Sequence, residues 1–152
     1  MNVDFRQAKE SDIEFLTDLR MRTMNIHLKK VGWPIDEQSH LDRILYRLDA
    51  AKIVSVENTD VGLLKSYCDE LGWNIVQVQI SPEYQGKGIG SKIIRSILEQ
   101  AEGDGQDVTL SVLKGNPAKD LYRRLGFAAV SESDAEYTMC VKFTNKIQQI
   151  NR

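Results

Sequence analysis

Cysteine and proline are scarce in this chain of 152 residues, with two of the first and three of the second. Cys68 and Cys140 lie far apart without the spacing of metal ligands, which favours buried, reduced thiols over a disulfide or a zinc site, and with them a cytoplasmic location. No run of Pro, Gly or Ser divides the sequence, so one domain is expected over residues 1–144, followed by a polar tail at 145–152. Apolar runs long enough to span a bilayer are missing, as are a secretory signal, internal repeats and low-complexity segments. A net charge of −2 argues against a general binder of nucleic acid or membrane. What remains, at 41% hydrophobic and 28% charged residues, has the composition of a globular protein with a core of its own.

Periodicity orders that core. Val3 and Phe5 alternate as a short strand, and Ser11-Asp12-Ile13-Glu14 reads as a capping box for a helix that ends before Val31-Gly32-Trp33-Pro34. Leu41, Ile44, Leu45 and Leu48 mark a second helix, and Met21 to Glu37 is the least regular part of this half. Ile53 to Val56, Val61 to Leu64 and Ile75 to Ile80 read as three strands of a meander. On the last of these, Gln77 and Gln79 share a face that either lines a polar pocket or meets solvent. Ile89, Ile93, Ile94, Ile97 and Ala101 form a helical stripe that ends near Gly103-Asp104-Gly105. Val108, Leu110 and Val112 follow as a strand, reached through a strand-helix-strand unit that implies local parallel pairing. Asn116 and Pro117 open a last helix closed by Gly126, and Ala129-Val130 and Tyr137 to Phe143 supply two more strands.

The chemistry is concentrated where the strand ending at Ile80 runs into Gln85-Gly86-Lys87-Gly88-Ile89-Gly90-Ser91. Glycines at a helix N-terminus let an anion approach unpaired N–H groups at the positive end of the dipole. A nucleoside-triphosphate loop fails here because Gly90 is followed by Ser91, and a dinucleotide fingerprint fails on the glycine spacing. From Tyr84 to Gly126 the bases Lys87, Lys92, Arg95, Lys114, Lys119, Arg123 and Arg124 outnumber the acids Glu99, Glu102, Asp104, Asp107 and Asp120, which suits a phosphate-bearing ligand.

Gln85-x-x-Gly88-x-Gly90 resembles the acyl-CoA pyrophosphate loop of the GCN5-related N-acetyltransferases (GNAT), and Asn116-Pro117-Ala118-x-x-Leu121-Tyr122-x-x-Leu125-Gly126-Phe127 resembles their second signature. The resemblance implies an α/β, single-domain GNAT-like fold with a mixed, mostly antiparallel sheet of about seven strands flanked by four helices. It also implies a splay beside Ile80 where the cosubstrate, acetyl-CoA, enters, and no metal. On this reading the N–H groups of Gly86, Lys87, Gly88, Ile89, Gly90 and Ser91 hold the pyrophosphate, Gln85 is a further cofactor contact, and the backbone of Val78, Gln79 and Ile80 pairs with the pantetheine arm. Tyr122 protonates the departing thiolate unless it is only a core residue, and Asn116 contacts the pantetheine or thiol region. Asn116 stands six positions before Tyr122, where another common form of the motif has seven, so its role as a helix cap stays open.

The activity implied is direct transfer of acetyl to a primary amine in a ternary complex, the alternative being an acyl-CoA-binding sensor or scaffold without turnover. A small-molecule or peptide amine is the expected partner, with no nucleic acid or membrane, and a homodimer is allowed. Arg20, Arg22, Trp33 and Gln77 are the candidate acceptor contacts, the two arginines as partners for a carboxylate on the acceptor. Glu37 and Glu70 are candidates for the base that deprotonates the amine.

Overall fold

The computed structural model describes residues 2–144. The tail at 145–152 lies outside them. Seven strands, β1 (Val3–Gln7), β2 (Ala51–Val56), β3 (Thr59–Asp69), β4 (Gly72–Ile80), β5 (Val108–Leu113), β6 (Ala128–Glu132) and β7 (Glu136–Val141), form one sheet in the order β1-β2-β3-β4-β5-β7-β6. Among the described residues four α-helices accompany it: α1 (Ile13–Lys30), α2 (Glu37–Leu45), α3 (Ile89–Asp104) and α4 (Ala118–Arg124). The strands of the meander are longer than their apolar stretches, because ladder hydrogen bonds carry the pairing past the last buried residue. Among the described residues no helix is long and apolar enough to cross a membrane.

Among the described residues only β4 and β5 pair in parallel, as the intervening helix α3 requires. Their register runs Trp73↔Val108, Asn74↔Thr109 and Ile75↔Leu110 and then stops, although both strands continue. On its other side β5 pairs with β7 along its whole length, from Val108 opposite Val141 to Leu113 opposite Glu136. Strand β4 keeps β3 on its other side, with Gln79 opposite Leu63 and Gln77 opposite Lys65. The edge of β4 from Val76 to Ile80 is therefore open on the β5 side.

Helix α3 lays Ile89, Ile93, Ile94, Ile97 and Ala101 on one face of the sheet, each worth a few kcal/mol at most when buried. It begins at Gly88 and ends at Gly105, both with positive φ, and Gln106 N–H donates to the Ala101 carbonyl at 2.9 Å in a Schellman closure. Helices α1 and α2 cover the opposite face through Leu16, Leu19 and Ile44 against Ile53 and Leu63. The α1 entrance departs from the capping box read at Ser11. The box closes the short 3-10 turn Glu10–Asp12 ahead of it instead, Asp12 accepting from Lys9 N–H at 2.8 Å and from the Arg6 guanidinium at 2.9 Å twice, and α1 itself has no side-chain cap. The hydrogen bonds from Arg6 hold the Asp12 carboxyl below its usual range. Helix α1 also runs unbroken to Lys30, so the irregular part of this half is confined to the short connection after it.

Helix α2 starts at Asp36, whose carboxylate accepts from Ser39 N–H at 3.1 Å, and its end is closed from outside the helix. Lys65 on β3 is 0% exposed and donates to the carbonyls of Arg43 at 2.9 Å, Ile44 at 3.0 Å and Tyr46. An ammonium group there satisfies the orphan carbonyls of a helix C-terminus and complements its dipole. Burial, reinforced by the charges of Arg43 and Arg20, pushes Lys65 down to about 8. Below pH 8 both folded and unfolded chains carry this charge. Between about 8 and 10.5 only the unfolded chain keeps the proton, so stability contributed by this group rises with pH, by up to about 3 kcal/mol. Denaturant unfolding of the native protein and of Lys65→Met should therefore diverge over that window, with the native protein gaining. A pH-independent difference would show that Lys65 stays charged in its buried position.

Candidate functional site

Two cavities meet where β4 parts from β5. One, of about 560 Å³, lies beside the N-terminus of α3, and the other, of about 470 Å³, opens between α1, α2 and the exposed edge of β4. Met24, Val78, Gln79, Asn116 and Tyr122 line both, so the junction is made by α1, the β4 edge and α4 together.

The first cavity is bounded by Ile80, Gln85, Gly86, Gly88, Ile89, Gly90 and Ser91. Gly86 and Gly88 have φ of +77° and +79°, and a Cβ added at either would meet nothing within 4 Å. The loop thus keeps its backbone bare in front of open space. Lys92 N–H is the donor that reaches back to Gly88, at 3.1 Å, which leaves the preceding N–H groups of the helix without intrahelical acceptors. The Gln85 side chain donates to the Ile80 carbonyl at 2.9 Å and so ties the loop to the end of β4. Lys87 is exposed, stands outside the cavity lining, and places its ammonium 5.2 Å from the centroid of Tyr84. Helix α1 contributes Thr23 and His27, and burial lowers the His27 imidazole below its usual range, with the charge of Lys30 adding to the effect.

Asn116 does form the cap of α4, its side-chain oxygen accepting from Ala118 N–H at 2.9 Å, and it lines both cavities while doing so. Tyr122 packs edge-on against Phe127 with centroids 5.9 Å apart, and burial pushes its phenol up to about 12. It is thus half-buried in a packed environment and also faces the junction.

The second cavity holds Arg20, Trp33 and Gln77 of the expected acceptor contacts. Arg22 is elsewhere: it pairs with Glu83 at 2.6 Å and Asp18 at 3.8 Å and lines neither cavity. The two glutamines of β4 are not on a solvent face. Gln77 is 5% and Gln79 6% exposed, because α1 and α2 cover that side of the sheet. The carboxylates Glu37 and Glu70 line neither cavity, whereas Asp42 and Glu136 line this one. The thiols are not buried either: Cys140 is half-buried on β7 and Cys68 is exposed near the β3–β4 turn, though both are free.

Sequence reading missed one arrangement altogether. Arg20 Nη1 lies 2.6 Å from His40 Nδ1, and His40 Nε2 lies 2.6 Å from Asn25 Oδ1. A guanidinium only donates, so Nδ1 accepts and Nε2 carries the proton that it gives to Asn25. Burial and the Arg20 charge keep the imidazole below its usual range, in agreement with a neutral ring. Asn25 sits five positions after Arg20 and His40 on another helix, and no local motif relates them.

The whole is an open α/β fold with a cleft at the split of its sheet. The profile of the Acetyltransferase (GNAT) domain matches residues 49–129, and the chain belongs to the GNAT family. Over 82 residues it is 39% identical to thialysine N-epsilon-acetyltransferase of Bos taurus, a stretch covering 51% of this chain and 47% of that protein. The chain spans about half the length, or less, of the curated relatives it matches. Among solved structures, PaiA N-acetyltransferase of Thermoplasma acidophilum, in complex with coenzyme A, superposes with a TM-score of 0.73 at 16% identity, covering 94% of this chain and 100% of that one. An acetyltransferase of Thermus thermophilus superposes with a TM-score of 0.75 at 17% identity, covering 93% and 97%. These likenesses are of fold.

Gly88 gives the site a direct test. Valine at φ of +79° is strained by about 1–2 kcal/mol but has room for its side chain, so Gly88→Val should remain folded. Its methyl groups would occupy the open space before the α3 N-terminus, and calorimetric titration should show acetyl-CoA affinity reduced at least tenfold. A folded variant with native affinity would remove the loop from the binding site.

Proposed function

We propose that the chain transfers acetyl from acetyl-CoA to a primary amine directly, in a ternary complex. The observation that carries this is the unpaired edge of β4 from Val76 to Ile80, which runs between the glycine-bounded N-terminus of α3 and a second cavity, with Tyr122 at the junction. The α3 N-terminus with Gly86, Gly88 and Gly90 supplies N–H groups for the pyrophosphate. The β4 edge offers peptide groups to the amides of the pantetheine arm and directs the thioester to the junction. Lys87 takes part through its backbone, since its side chain lies outside.

The amine nitrogen attacks the thioester carbonyl carbon, a C–N bond forms, the C–S bond breaks, and its electron pair leaves on sulfur. A phenol raised to about 12 against a reference thiol near ~8.5 makes complete proton transfer from Tyr122 to the thiolate uphill by roughly 5 kcal/mol. Tyr122 therefore acts chiefly by donating a hydrogen bond to the developing charge. Asp42 or Glu136, alone or through water, takes the amine proton, both being carboxylates of the acceptor cavity. The location proposed is the cytoplasm, consistent with two unpaired thiols, and association as a homodimer is compatible with the reading.

The measurement is release of CoA thiol over a panel of primary amines. Tyr122→Phe keeps the ring packed on Phe127 and deletes the hydroxyl, and should lower kcat by about 10²–10⁴ with acetyl-CoA affinity unchanged. Full activity in the Phe variant would return Tyr122 to a packing role. Binding of acetyl-CoA without transfer to any amine would leave a binding module in place of the enzyme.

A further inference from the structure

We infer that the acceptor is a small amino carboxylate whose carboxylate is received by Arg20, with His40 and Asn25 as positioning residues. This rests on the transferase reading and names the substrate class of its second cavity. Arg20 lines that cavity at 8% exposure, and among the described residues no carboxylate lies within ion-pair distance of it. A charge removed from water in this way costs several kcal/mol unless a counter-ion compensates it. The arginines next to it on α1 and α2 are met differently. Arg22 has Glu83 and Asp18, and Arg43 lies over the ring of Tyr46. The missing anion at Arg20 is supplied when the acceptor binds.

The surroundings favour a carboxylate in particular. His40, 0% exposed, holds Nη1 through a neutral ring nitrogen and orients the guanidinium while leaving its charge intact, which a carboxylate in that position would not do. Nε is buried and unpartnered, so the side of the fork away from His40 is available to a planar, two-oxygen acceptor. Both polar atoms of the Gln77 amide and Oε1 of Gln79 are buried without partners, and both residues line the same cavity. They can donate to the second carboxylate oxygen or accept from the acceptor nitrogen. Gln79 also reaches the junction with Tyr122, and Met24, one helical turn beyond Arg20, lies there too. The carboxylate end and the reacting end of a small molecule thus have separate places. A polyamine could reach Asp42, Glu136 and the two glutamine oxygens, but it would bring positive charge to Arg20 and Arg43 and leave the guanidinium without an anion.

The experiment compares matched acceptors, free amino acids against their carboxamides and against simple diamines, by CoA release. The native protein should prefer the carboxylate member about 10–100-fold in kcat/KM, mainly through KM. Arg20→Gln should bring that ratio to near one while acetyl-CoA still binds with native affinity, which confirms the fold. His40→Leu should collapse the ratio as well, and His40→Gln, which keeps an acceptor for Nη1, should restore most of it; a merely structural role for His40 would not separate these two. Titration of the same pairs into the protein bound to CoA reads the carboxylate preference without turnover, so loss of transfer with retained discrimination would overturn the enzyme reading and keep this one. Equal use of carboxylate and carboxamide by the native protein, preference for diamines, or a ratio untouched by Arg20→Gln would each overturn the carboxylate site.

Discussion

Parallel pairing between β4 and β5 stops at Ile75 and Leu110, and the arrangement of the cleft follows from that stop. A strand held on one side only exposes a row of peptide groups, which a protein normally covers or blunts. Past that point β5 keeps β7 on its other side and no longer pairs with β4, so the open edge of β4 becomes the floor shared by two cavities. The same divergence brings the entrance of α3 beside the end of β4, and the Gln85 amide fixes the loop there through the Ile80 carbonyl. A ligand that is anionic at one end and amide-rich along its length matches this surface without any side chain of unusual chemistry.

On the other face of the sheet the organising force is buried positive charge satisfied by neutral oxygen and nitrogen. Lys65 closes the C-terminus of α2 through three carbonyls, and that helix carries His40, which holds Arg20. The cavity wall is therefore connected to the sheet by a chain of hydrogen bonds, from β3 through α2 to α1. A buried charge met by neutral groups alone costs stability, more so at Arg20, whose Nε has no partner, than at Lys65 with its three carbonyls.

The family signatures were legible because they are local. Gly88 at positive φ, the isoleucine stripe of α3 and the Asn116 cap of α4 each depend on residues within a few positions. Element order was legible for the same reason. Errors arose where a polar residue had to be placed on a face. Ser11 does not cap the first helix: Asp12 precedes it, and its carboxylate is turned back to Lys9 N–H and to Arg6 on the neighbouring strand. Arg20 and Arg22 look alike in the sequence, yet two positions along a helix turn them to different sides, one into the cavity and the other to Glu83.

By itself, then, the sequence determined the strands and helices and the glycine entrance of α3, since backbone propensity and short-range spacing suffice for these, whereas the place of Tyr122 beside that entrance came from the family resemblance. Only the tertiary structure decided that β4 and β5 part after Ile75, that Gln77 and Gln79 are buried, and that His40 and Asn25 hold Arg20. The physical reason is that periodicity tells which residues share a face but not what is packed against it. A buried polar group acquires its meaning from partners brought in from distant parts of the chain.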